Sequence, residues 1–100
     1  FPTRRSSDLF LFIDSIARAA VKNGMSKELA LEIATQAVLG SAQTLANSKE
    51  NPWTLIDQVS SPGGTTVAGI VELENNAFIS TVIKGIEATI FRDQELAKQD

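Results

Sequence analysis

The chain has no cysteine and no histidine. Without cysteine there is no disulfide, no thiolate nucleophile and no zinc–thiolate centre. Without histidine it lacks the commonest general base and the commonest metal ligand, and no metal site is expected. Tyrosine is absent as well, and only a single tryptophan is present. Positive charge is scarce: nine lysines and arginines stand against twelve acids, for a formal charge of −3. Nucleic-acid surfaces gather Lys and Arg, so no such partner is expected. No run of about eighteen apolar residues occurs, which leaves no helical membrane span. Whatever chemistry survives these exclusions rests on carboxylates, lysines, hydroxyls, backbone amides or a borrowed cofactor.

What is present reads as helix. The 100 residues suit one domain, 43% of them are hydrophobic, and no alternating strand pattern appears, so the fold class is all-α. Five helical segments account for nearly everything, and no internal repeat is seen. The opening FPTRRSSDL, residues 1–9, has paired arginines and serines like a targeting peptide but no initiator Met. It also resembles translated sequencing-adapter sequence, and is expected to be a leader foreign to a domain spanning 10–100. The first helix is expected over 9–23. Asp14, Arg18 and Lys22 lie four apart on its polar face, the acid preceding the bases in the favourable order. Gly24 stops it as a glycine just past a helix end does. Ser26 is positioned to cap a second helix over 27–46, with Glu28 in the first turn where the macrodipole favours an acid.

That second helix is unusually greasy. Its apolar residues, from Leu29 to Leu45, cover roughly 220° of the circumference, against about 100° for a typical surface helix. The first helix carries a similarly broad stripe, and both favour a partner chain. Asn51 and Pro52 fit the cap and first position of a short third helix with Trp53, Leu55, Ile56 and Val59 on its packing face. A fourth helix is expected over 65–74, broken by Asn75 and Asn76. The last is expected over 78–94, with a stripe of Phe78, Ile79, Val82, Ile83, Ile86 and Ile90 and a frayed tail after Leu96. Gly40 and Gly85 sit inside helices at some cost, which close helix approach would explain.

Between the third and fourth helices lies VSSPGGTTVAGIVELE, residues 59–74. Pro-Gly-Gly just ahead of a helix does two things. The glycines reach backbone conformations closed to other residues and admit a ligand without an intervening Cβ. The helix start then offers unpaired N–H groups at the positive end of its dipole. Ser60, Ser61, Thr65 and Thr66 add hydroxyls. Together they make a small anion pocket, for a carboxylate or a phosphate; a ligand-free helix start capped by Thr and Ser is the plain alternative. A P-loop is excluded, since no lysine follows the glycines, and GxGxxG occurs nowhere.

The arrangement Pro52-x-x-Leu55-x-x-x-Val59-Ser60-Ser61-Pro62-Gly63-Gly64-Thr65-Thr66-x-x-Gly69-Ile70-x-x-Leu73-Glu74 resembles the signature of pyrroline-5-carboxylate reductases. AAVKNGMSKELALEIATQAVLGSAQ before it and AFISTVIKGIEATIFRDQEL after it also resemble that family's C-terminal domain, in order and without a gap. The resemblance implies a helical dimerisation domain of the 6-phosphogluconate-dehydrogenase-like type, its helices interleaved with a partner's in a homodimer or a higher oligomer. It implies hydride transfer from NADPH or NADH to the C=N bond of 1-pyrroline-5-carboxylate, giving proline in the cytoplasm. The cofactor would sit on an N-terminal Rossmann domain that these residues lack, so no cofactor-binding residue is assigned here. By motif position Ser61, Gly63, Gly64, Thr65 and Thr66 would bind the substrate, mainly through its carboxylate. Thr66 would also place its hydroxyl near the ring nitrogen, as the catalytic candidate.

Two departures stand out. The Rossmann domain is missing, and the family's GSGPAY-like lead into the first helix is replaced here by FPTRRSSDL. Two other readings remain: a non-catalytic helical dimerisation module, and the C-terminal domain of a related imine or 2-hydroxy acid reductase. Elsewhere the residues read plainly: Trp53 as core or interface packing, Lys84 and Arg92 as solvated charge, Asp57 as a surface acid or a brace for the loop. Glu72 and Glu74 do not face each other on a helix, which disfavours an acid–base pair. The 100 residues alone are expected to give no NADPH-dependent turnover of pyrroline-5-carboxylate. Oxidation of NADPH above the protein-free rate, followed by absorbance, would overturn that.

Overall fold

The computed structural model describes residues 6–98, and among them every regular element is a helix. In order these are α1 (Ser6–Lys22), α2 (Lys27–Asn47), α3 (Pro52–Gln58), α4 (Thr65–Asn75) and α5 (Phe78–Ala97). They fall into two units, the first ending at Leu55 and the second starting at Ile56. None of the described helices is long and apolar enough to cross a membrane.

In the first unit, α1 packs on α2. Gly24 ends α1 as expected: at φ +104° it takes a backbone conformation that side chains resist. The amide of Met25 then donates to the carbonyl of Ala20 and that of Gly24 to Val21, both at 3.0 Å, closing a Schellman motif. Two residues on, Ser26 Oγ accepts from the amide of Leu29 at 3.3 Å and caps α2. Asp14 and Arg18 form the anticipated pair on α1, with Nε–Oδ2 2.6 Å. The contact itself is built from small side chains. Ala17, Ala30 and Ala34 are the buried residues among those described, with Ile13, Ala20 and Met25 packed beside them.

In the second unit, α4 contacts α5 across a tight corner. Asn76 folds back on α4, its side-chain amide donating to the carbonyl of Glu72 at 2.9 Å and to Glu72 Oε1 at 3.1 Å. Ala77 takes the left-handed region at φ +58°. That conformation costs a residue with a Cβ roughly 1–2 kcal/mol, so the corner holds a small strain.

Several expectations shift. Helix α1 starts at Ser6 rather than at residue 9, with Asp8 in its first turn facing the positive end of the dipole. Residues 6–9 of the expected leader are thus helical, and residues 1–5 of it lie outside the described residues. Helix α5 runs on to Ala97, past the end expected at about residue 94. At Gly40 and Gly85, where close helix approach was expected, a Cβ would meet nothing of the chain's own described residues within 4 Å, which leaves such an approach to a partner's helix. Trp53, expected as core or interface packing, and Val59 are 56% and 67% exposed in the single chain, which leaves the interface reading for Trp53.

Those exposures belong to a pattern. Leu29, Leu31, Ile33 and Leu39 of α2 stand exposed, as do Ile79, Val82, Ile83 and Phe91 of α5. Being about half exposed, each such side chain forgoes roughly half of the ~1.5–3 kcal/mol that full burial gives. Ordering a residue costs about 1–2 kcal/mol of backbone entropy, a cost that a core of three alanines does not offset. The second unit buries no residue fully among those described. The stability of this chain is therefore expected to depend on its concentration, as it does for obligate assemblies. A thermal midpoint that rises on concentrating the protein, with sedimentation as a dimer or larger, is the expected result; a sharply melting monomer with a constant midpoint is the contrary one.

Candidate functional site

The site is prepared by α3. Asn51 Oδ1 accepts from the amide of Thr54 at 3.0 Å and from its hydroxyl at 3.3 Å, which caps the helix ahead of Pro52. At the other end the chain closes down in a short spiral: the amide of Val59 donates to Ile56 and that of Ser60 to Asp57, both at 3.2 Å. The hydroxyl of Ser60, half-buried, donates to the carbonyl of Ile56 at 2.6 Å. Next comes a turn over 61–64. The Gly64 amide donates to the Ser61 carbonyl at 3.0 Å, and Gly63 stands at φ +69°. Proline second and a positive-φ glycine third define a type II turn, so the order Ser-Pro-Gly-Gly dictates this geometry.

Gly64 then serves as the N-cap of α4 in extended conformation, with no side-chain cap. The first backbone bond of α4 runs from the amide of Ala68 to the carbonyl of Gly64 at 3.3 Å. Among the described residues, the amides of Ser61, Gly63, Thr65, Thr66 and Val67 and the hydroxyls of Ser61, Thr65 and Thr66 have no protein acceptor. Unspent donors have thus collected where the α4 dipole is positive. No ionisable residue lies between Asp57 and Glu72. Thr66 is half-buried, whereas Ser61, Gly63 and Thr65 are exposed.

Gly64 has a second reason to be glycine. A Cβ there would lie 2.5 Å from Ser61 Oγ and 3.1 Å from the Ser61 carbonyl oxygen. The space that residue 64 leaves empty is where the Ser61 hydroxyl sits. So all the sequence-derived site residues, Ser61, Gly63, Gly64, Thr65 and Thr66, fall on one turn and the first turn of one helix. Ser60 does not join them as a ligand-facing hydroxyl, because its proton is spent on Ile56. The signal was present: serines commonly bond back to the carbonyl four residues earlier. Asp57 contributes its carbonyl to the amide of Ser60 rather than a side-chain brace.

Other features offer less. Within the first unit, an open groove is lined by Ala17, Val21 and Leu31 with Asp14, Arg18, Lys22, Lys27 and Glu28 at its rim. Its Arg18 guanidinium is held above the ordinary arginine value, first by the hydrogen bond to Asp14 and then by that carboxylate's charge. Arg92 pairs with Glu95 at 2.9 Å on exposed α5. Among the described residues there is no cluster of acids able to hold a metal.

Residues 8–96 match the family described as pyrroline-5-carboxylate reductase dimerisation. The chain is 41% identical over 90 residues to a pyrroline-5-carboxylate reductase of Arabidopsis thaliana, covering 90% of this chain and 33% of that protein. It is 46% identical over 88 residues to the one of Aquifex aeolicus, covering 88% and 33%. Among solved structures it resembles the 1-pyrroline-5-carboxylate reductase of Streptococcus pyogenes, with a TM-score of 0.83 and 48% identity over 86% of this chain and 33% of that one. The pyrroline carboxylate reductase of Plasmodium falciparum, solved with NADP bound, gives a TM-score of 0.79 and 39% identity over 82% and 31%. The chain thus spans about a third of the length of the curated relatives it matches.

The two glycines are expected to fail differently. Gly63→Ala should cost about 1 kcal/mol of stability in the assembled protein, read by denaturant unfolding, because alanine resists positive φ. Gly64→Ala keeps an allowed φ of −82° and should instead drive the Ser61 hydroxyl into another rotamer, visible in a crystal structure of the variant.

Proposed function

The chain belongs to the pyrroline-5-carboxylate reductase dimerisation family, and on that premise we propose that its 61–66 segment holds 1-pyrroline-5-carboxylate for reduction to proline. The observation that carries the proposal is the uncapped start of α4, with its free amides and hydroxyls, behind a turn that the family signature encodes. A carboxylate is the simplest ligand for it: small, negative, and able to accept several N–H and O–H bonds at once. Ser61, Gly63, Gly64 and Thr65 grip the carboxylate. Thr66, the half-buried hydroxyl one residue into the helix, orients the imine nitrogen, which gains a proton as the adjacent carbon gains hydride.

The hydride is supplied by NADPH or NADH held elsewhere in a full-length reductase, and these residues form no dinucleotide-binding turn. The site can therefore lack acids and bases: it binds and orients, and the cofactor does the reducing. The match to a dimerisation family supports self-association. The form we propose is a homodimer with interleaved helices, able to assemble further, whose partner copy covers the apolar faces of α1, α2 and α5. The same reading makes the protein cytoplasmic, with no nucleic-acid or membrane partner.

The test is a full-length chimera that joins this chain to the N-terminal portion of the Aquifex aeolicus reductase. Thr66→Ala should lower turnover roughly 10- to 100-fold, as losing one substrate hydrogen bond and one proton-orienting group does. Thermal stability should hold and Thr66→Ser should recover most of the loss. Unchanged turnover in Thr66→Ala would make the segment a mere connector.

A further inference from the structure

We propose that Ser60 is a positioning residue for this site: its hydroxyl, donated to the carbonyl of Ile56, fixes the 61–64 turn to the end of α3 and so sets the aim of the donors at the start of α4. The inference rests on the carboxylate-binding reading above and adds to it a residue that does not touch the ligand.

Three observations support it. First, Ser60 lies beyond the last helical residue, Gln58, so its bond crosses from a helix to a turn. Ser15, Thr35, Thr44 and Thr89 make bonds of the same spacing inside helices, where the backbone is already held, and all four bonds are exposed. The Ser60 bond is the part-buried one of this set. Second, the turn's own backbone bond, from Gly64 to Ser61, closes the turn on itself and ties it to nothing else. Among the described residues between Ser60 and Thr65 no other bonds to α3, so Ser60 makes the attachment twice, through its amide to Asp57 and its hydroxyl to Ile56.

Third, the bond completes an accounting. The Ile56 carbonyl lies in the last turn of α3, where the helix supplies no partner of its own. It receives the amide of Val59 at 3.2 Å and the hydroxyl of Ser60 at 2.6 Å, which uses both of its lone pairs. With that carbonyl saturated, the chain direction leaving α3 is fixed before Ser61 and Pro62 begin the turn. Remove the hydroxyl and Ser60 keeps only its longer amide bond, leaving the turn free to rotate as a unit about α3. The donors at the α4 start then spread over more orientations, and the ligand must select the productive one.

The consequence falls on binding rather than on the chemical step. In the full-length chimera, Ser60→Ala should raise KM for pyrroline-5-carboxylate about tenfold, the worth of one well-made hydrogen bond. It should leave kcat and the KM for NADPH within about twofold, and Ser60→Thr, which keeps the hydroxyl, should restore the substrate KM. A substrate KM unchanged in Ser60→Ala overturns the inference, as does a fall in kcat alone. A loss of thermal stability that Ser60→Thr does not rescue overturns it too, by showing a purely structural role. Gly64→Ala, measured alongside, separates the two readings. If it raises the substrate KM while Ser60→Ala does not, the carboxylate site stands and the positioning role falls. If Gly64→Ala leaves the substrate KM unchanged, the carboxylate site itself is wrong, and the role of Ser60 falls with it.

Discussion

Apolar side chains hold a fold together only when they have a surface to press against, and this chain supplies itself with very little. Its helices are long and well delimited, yet the residues that make them water-averse, such as Leu31, Ile33, Ile83 and Phe91, face outward. What α1 and α2 do bury is a patch of alanines, which lets two helices lie close but releases little surface from water. Everything else about the molecule follows from this imbalance. The helices are specified locally, by caps and propensity, while their packing is left for a second surface to finish. The family to which the chain belongs is named for dimerisation, which is what such a division of labour requires.

Against that background the 61–66 segment is unusual because it is organised entirely from within. Proline and a positive-φ glycine close the turn, Ser60 ties it back to α3, and the missing Cβ of Gly64 makes room for the Ser61 hydroxyl. Each of these acts over four residues or fewer. A site made of peptide groups can be formed by so small a stretch because its donors come with the backbone and need no distant partner to orient them. On the proposed reading, the cofactor and the rest of a reductase add the chemistry, and the turn and the helix behind it would add a fixed place for the ligand's charge.

How far the sequence foretold this depends on the range of the interaction involved. Gly24, Ser26, Asn51 and Pro52 each declare a helix boundary because capping is settled within four residues, and the structure places those boundaries where their chemistry does. The breadth of the apolar stripe on α2 was legible too, and so was the resulting want of a covering surface. The corner at Ala77 was half legible: Asn75 and Asn76 announce a break, but nothing in an alanine says that it will take the left-handed turn. Two features of the site escaped. The fate of the Ser60 hydroxyl depends on which side of a helix end the serine falls, and the steric reason for Gly64 depends on the rotamer of Ser61. Both are three-dimensional facts that a one-dimensional motif compresses into a run of small residues. The glycines of α2 and α5 have open space around them within the chain, so the close approach read for them concerns a partner's helix.

The stretch from Gln58 to Val71 contains no side chain that can gain or lose a proton. Peptide dipoles and hydroxyls keep the same polarity from mild acid to mild alkali, so a carboxylate held there meets an unvarying host. The acid limit of such a grip belongs to the guest: it loosens when the ligand's own carboxyl becomes neutral. If the proposed role holds, cells whose interior drifts in acidity would find this segment indifferent to the drift, and any sensitivity in the whole enzyme would trace to other parts of it.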